Sequence, residues 1–391
     1  MRRPTAATLA RSLLLLSSLP AAAQSTPNPA MTAPDQVAWQ FFIQVNTRAG
    51  GSNALFETWA SDSDTFKPVP QFPTTASPLA LREPVVPALG REALQRSGKL
   101  LPAIPPGRGF LEESRRNKDS FDFIVQNNLF KISGLRAAFG KTIAFPVSAM
   151  EVKGNWKLVT DIPDFSGGKV SLADVPKVYH VNTGSDGKQY AFVSMHIISK
   201  AVPNWTWATF EHKFNPGRCD ILGCRDSFGA QTSPVLPNGT ADQGYPDCVK
   251  TPALTALFAA ADIDPVFANY CLKGSQTDFT DDTGLDIRLG NSVTEDGFVP
   301  QSSCITCHGR AAWDNTGTAT TQAGFDNNTG LAPLGPIQPD WYFNFSGQPP
   351  IFQGMSGLAQ VATSADFIWS IPFCAIDDTK TPIPRSGCTG K

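Results

Sequence analysis

The residues of this chain best placed to do chemistry are Cys304-Ile305-Thr306-Cys307-His308. Two thiols three positions apart can reach the two vinyl groups of one porphyrin, and the adjoining imidazole then falls under the iron. This spacing is the c-type haem attachment pattern, and histidine is a usual proximal ligand in haem proteins. One covalent haem c, held by Cys304 and Cys307 and ligated by His308, is therefore expected. Two rival chemistries use similar residues. A structural zinc site wants four protein ligands, usually from two paired halves, and no second Cys-x-x-Cys is present. A thioredoxin-like redox pair belongs in a strand–helix setting, where the following histidine would be incidental.

An iron held by His308 has one more axial position. Met355, in Phe352-Gln-Gly-Met-Ser-Gly, is the expected distal metal ligand. Flanking glycines let a loop approach a haem face, and a thioether raises the reduction potential relative to a second imidazole. The other histidines are His180, His196 and His212. All three fall in strand-like sequence, where they read as hydrogen-bonded sheet residues, with a distal haem ligand as the alternative. Pairing the strands through their turns puts His180 and His212 level with residues 191 and 192 and two strand spacings apart, about 10 Å. His196 lies further along. Glu151 and Glu211 have no partner that the sequence reveals. Trp205 and Trp207 read as core packing rather than an electron relay, because an alternating strand buries one face. Asp278, Asp281 and Asp282 lack EF-hand spacing. No phosphate loop, dinucleotide fingerprint, His-Glu-x-x-His helix or Gly-x-Ser-x-Gly elbow occurs, so no catalytic residue is assigned.

The chain opens Met1-Arg2-Arg3, continues through Leu13–Leu16 and closes on Ala21-Ala22-Ala23. A basic start, a short apolar core and small residues before Gln24 make a secretory signal, expected to be cleaved after Ala23. The apolar run is shorter than the roughly 20 residues a membrane span needs. A periplasmic product without an integral membrane segment is expected. Six further cysteines, an even number, suit an oxidising compartment. Short loops favour Cys219–Cys224, Cys248–Cys271 and Cys374–Cys388, although connectivity among six cysteines has about 15 solutions. With 32 basic and 34 acidic residues the net charge is −2, and no basic stripe invites nucleic acid or anionic lipid.

The elements that must position these residues divide softly near residue 250. After the signal, Asp35 to Val45 reads as a helix capped by Asp35, with Val37, Phe41 and Val45 on one stripe. A proline-rich stretch from Lys67 to Pro106 has no period. Phe121 to Leu129 reads as helix, and strands begin at Glu151–Lys153. Lys177–Val181, Tyr190–Ile198 and Trp205–Phe214, joined by turn-forming residues, predict an antiparallel meander. From Ala253 helix formers dominate. The expected fold is α+β: an N-terminal region, residues 24–250, with the meander, then a mainly helical haem-binding region, residues 251–391.

The motif together with the export signal resembles the c-type cytochrome class. Ala38-Trp39-Gln40-Phe41-Phe42 and Trp205-Thr-Trp-Ala-Thr-Phe-Glu-His212 resemble a group of exported bacterial cytochrome-like proteins to which no function is attached. Small cytochromes carry the motif near the start of their domain, whereas here it lies far towards the C-terminus. The resemblance implies a monohaem electron carrier with a redox partner protein. Two alternatives stay open: a haem enzyme or small-ligand sensor with an open axial position, and a binding module with a structural haem.

Overall fold

Apolar side chains recur along Pro34–Val45 at helical spacing, and the helix they form lies against the central sheet. The structure is a computed structural model, and it describes residues 27–76, 78–84, 109–237, 248–296, 298–320, 334–344, 359–379 and 388. The expected signal segment, most of the proline-rich stretch and Met355 fall outside the described residues. Pro34 takes the first helical position, where its missing N–H costs nothing. The buried stripe is Ala38, Trp39, Phe42, Ile43 and Val45, with Phe41 only partly covered. Asp35 is not the cap. Its carboxylate instead accepts from Ser227 N and Oγ and from Ser275 Oγ, tying the helix to the sheet.

Seven strands form that sheet: β1 (Ala60–Ser61), β2 (Phe110–Arg116), β3 (Met150–Leu158), β4 (Val181–Thr183), β5 (Gln189–Ser199), β6 (Thr206–His212) and β7 (Tyr270–Gln276). The order is β1-β2-β3-β5-β6-β7, antiparallel throughout. Ala191 pairs with Lys157 of β3 and with Val181 of β4, so β4 lies on the side of β5 that β6 occupies further along. His180 and His212 therefore flank the same edge of β5 and do not stand two spacings apart across it. Lys177 and Val178, the start of the expected first strand, belong instead to the helical turn Val175–Val178. Its Pro176, which has no N–H to give a ladder, suits that turn.

Strand periodicity gives the sheet two unlike faces. Val152, Trp156, Phe192, Met195, Ile197, Ala208, Phe210 and Leu272 face the Pro34–Val45 helix in an aromatic-rich core. The opposite face carries Arg116, Lys153, Asn155, Ser194, His196, Thr209 and Glu211, with Ile198 and Trp207 at one end. The chain beyond β7 packs on this polar face, and a second core joins Ile198 and Trp207 to Leu289, Ile305, Trp313, Ile368 and Ile371.

The expected mainly helical C-terminal region does not form. Among the described residues beyond 251, helices cover only Pro252–Ala260, Cys304–Gly309 and Ser370–Cys374, plus short 3-10 turns, and β7 is a strand of the sheet. The run of helix formers after Ala253 is a local signal only. Proline and glycine interrupt the chain beyond it, and Tyr270-Cys-Leu pairs with β6. Cysteine pairing follows loop length: Cys219–Cys224, Cys248–Cys271 and Cys374–Cys388 are disulfides, their Cα atoms 5.2, 5.8 and 5.6 Å apart. This pattern fits an oxidising compartment. Among the described residues no helix is long and apolar enough to cross a membrane.

Candidate functional site

Cys304–Gly309 is a helix of six residues, too short to be stable by itself, so its neighbours must hold it. β7 supplies the first tie: Gln276 Oε1 accepts from Ile305 N, and Gln276 Nε2 donates to Ser303 Oγ. Aromatic donors satisfy the carbonyls at its far end. Trp369 Nε1 donates to Cys307 O at 3.2 Å, Trp341 Nε1 to Arg310 O at 3.2 Å, and Tyr342 OH to Gly309 O. Thr306 Oγ1 adds a bond to Gly335 O at 2.8 Å. The orphan groups that every helix end leaves are thus paired with side chains from several segments.

Positions i, i+3 and i+4 share one helix face, so Cys304, Cys307 and His308 are presented together, each half-buried. Neither cysteine is in a disulfide. Burial pushes the Cys304 thiol well above its ordinary range, and burial likewise pushes Cys307 up to about 11. Burial lowers His308 to about 4, with the Phe367 carbonyl pulling the other way, so its imidazole is neutral at neutral pH. His308 Nδ1 donates to Phe367 O at 2.8 Å. That bond fixes the tautomer and leaves the Nε2 lone pair for a ligand. Among the described residues Nε2 makes no hydrogen bond.

The acceptor carbonyl sits in unusual backbone. Asp366 and Phe367 both have positive φ, 48° and 75°, and neither is glycine. Such conformations cost of order 1–3 kcal/mol each and persist only where the surroundings over-determine them. On the other side of the imidazole, Trp207 of β6 packs its ring 4.7 Å from that of His308.

The polar face of the sheet brings further groups to the motif. His196, Glu295 and Lys153 lie near enough to act electrostatically on His308, and Glu295 and Lys273 on Cys304. His196 Nε2 is 3.4 Å from Glu295 Oε1 and 3.1 Å from Asn291 Nδ2. A neutral ring can accept from the amide, and a protonated ring can donate to the carboxylate. Lys153 pairs with Glu112 at 2.8 Å. Asn155, buried on the same face, accepts from Ser194 and Thr294.

Of the other three histidines, only His196 is brought to the motif. His180 Nε2 is bonded to Glu57 at 3.0 Å, and His212 Nε2 to Val178 O at 3.1 Å with its ring stacked on Tyr179. Both serve the sheet. Glu151 and Glu211 do have partners: Arg116 and Ser120 for the first, Lys273, Ser292 and Asn215 for the second. Asp281 spends its Oδ1 on Thr283 and Leu285, closing its own turn. Trp205 and Trp207 are buried, as their alternation predicts. Glu295, Lys153 and the Phe367 carbonyl join the site without any motif to announce them. The strand period of Glu151-Val-Lys153 is the one cue that Lys153 shares a face with His196.

Among the described residues no group of three or more His, Cys, Asp or Glu side chains is arranged to hold a metal ion. The motif presents two thiols and one imidazole on one helix face, with the imidazole Nδ1 engaged by the Phe367 carbonyl. No family model, curated protein or solved structure matches this chain.

Proposed function

We propose that the chain is an exported scaffold for one covalent haem c, attached at Cys304 and Cys307 with His308 as proximal ligand, and that it passes single electrons to a partner protein in the periplasm. The observation that carries this reading is the Nδ1–H of His308 held by the Phe367 carbonyl, which aims one defined nitrogen out of a helix face that also bears both thiols. A bound haem would supply the one-electron ferric–ferrous couple. The protein's part is to hold the imidazole neutral and oriented, to pack Trp207 against it and to keep bulk water from the proximal side. Met355 as the distal ligand belongs to the same proposal.

One observation favours a second reading, a haem enzyme or ligand sensor. His196, Glu295 and Lys153 place an acid–base pair and a cation beside the motif, which pure electron transfer does not require. Optical spectra of the reduced and oxidised protein, with and without carbon monoxide, separate the two. A low-spin spectrum indifferent to carbon monoxide, with a weak red thioether band lost in Met355→Ala, supports the carrier. Rapid carbon monoxide binding by the wild type overturns it in favour of the open site. A wild type that releases all haem into acid–acetone overturns both.

A further inference from the structure

The β5–β6 hairpin touches the motif once and the segment that supports it once. Trp207 lies against the His308 ring, and Lys200, the first residue after β5, reaches the segment that supplies the acceptor carbonyl. Lys200 Nζ donates to Asp366 Oδ1 at 2.6 Å and to Pro203 O at 2.7 Å, above the Trp205 ring. The other oxygen of Asp366 accepts from Phe145 N at 2.8 Å, and Ala365 N donates to Ala311 O at 2.7 Å. These bonds converge on Asp366 and Phe367, two of the four described non-glycine residues with positive φ. L-residues leave that region unless held.

We propose that Lys200 is a positioning residue for His308: its ion pair with Asp366 pins the Asp366–Phe367 backbone so that the Phe367 carbonyl stays on Nδ1–H. An imidazole whose Nδ1–H is engaged by an acceptor is a stronger donor through Nε2. The inference rests on the haem reading and adds to it a named control of the iron's potential, placed in the sheet. Without the pair, the Asp366–Phe367 backbone relaxes toward negative φ, the carbonyl turns away, and the ligand weakens. A weaker donor stabilises ferric iron less, so the potential rises.

The test uses the full haem-loaded protein and the variants Lys200→Met, Asp366→Asn and Lys200→Arg. Lys200→Met and Asp366→Asn should keep their haem, measured as the pyridine haemochrome, while the reduction equilibrium shifts about tenfold toward the ferrous form, about 59 mV for one electron. Lys200→Arg, which keeps the charge pair, should restore the wild-type value. In the wild type, proton NMR should show the His308 Nδ1–H protected from exchange with D2O, a readout that needs no variant to fold. An unprotected Nδ1–H, or haem-loaded variants with wild-type potentials, would overturn the positioning role alone. Absence of covalent haem from the wild type would instead remove the reading on which it rests.

Discussion

Trp207 and His308 meet ring to ring, 4.7 Å between centroids, although one sits in a sheet strand and the other in a six-residue helix far along the chain. The contact joins the two halves of the site, and its indole is almost wholly buried. Trp207→Ala should cost about 3–5 kcal/mol, the range for emptying a large aromatic from a core. Urea unfolding followed by circular dichroism measures this. Trp207→Phe, which keeps a ring against the imidazole, should cost less. Equal losses for the two variants would mean that ring contact with His308 contributes nothing.

The proposed attachment chemistry has a direct readout. Cys304→Ala or Cys307→Ala removes one of the two thiols from the helix face, and each should strongly reduce acid–acetone-resistant haem. Retention of a full complement in either variant would show that its cysteine forms no thioether.

Acid should act through Glu57. Burial alone would raise this carboxyl, but His180 beside it, with Asn182 and the Ala54 N–H, outweighs burial and holds it below its ordinary 4.5. A carboxyl with a lower pKa in the folded state binds protons more readily once unfolded, so protonation favours unfolding. Its stabilisation is complete above the ordinary value and drains away as pH falls through the lower folded one. Glu57→Gln should therefore be less stable than the wild type at neutral pH, and the difference should shrink as the acid limb is descended. A constant gap in urea midpoint across that limb would refute this.

Cys248–Cys271 closes the longest of the three disulfide loops, at a sequence separation of 23. By loop-closure entropy, replacing both cysteines with alanine should cost about 3 kcal/mol. Thermal unfolding of the double variant under non-reducing conditions checks the value. Wild-type stability would mean that the unfolded chain is already restrained there.

How much of this can be read from residues alone depends on the range of the signal. That Cys304, Cys307 and His308 share one helix face is legible because they lie within five consecutive positions. The disulfides are legible because short loops limit the choice. Period-two alternation locates β5 and β6 to within a residue or two. The illegible features are non-local. The helix-forming run after Ala253 says nothing about Tyr270–Gln276 joining β6, since strand pairing is decided by a partner far back in the chain. The same holds for Lys200, Asp366 and Glu295, whose roles exist only once the hairpin and the C-terminal segment are laid together. For His180 and His212 alternation finds the right level on β5 and the wrong edge, because it fixes faces and leaves the neighbouring strand open.

The unlike faces of the sheet also bear on how the chain avoids folding wrongly. Side chains alternate strictly along a strand, so a slip of one residue in any pairing exchanges the two faces. In β3 such a slip would drive Lys153 into the aromatic core and leave Trp156 on the polar face beside Ser194; in β6 it would drive Glu211 into that core and leave Phe210 on the polar face. A sheet with one apolar and one solvated face penalises that error mainly through lost burial. Here each misregistered strand would also strand a charge without its partner, a penalty of several kcal/mol. The charged surface under the motif helix thus doubles as a proofreading device for strand alignment.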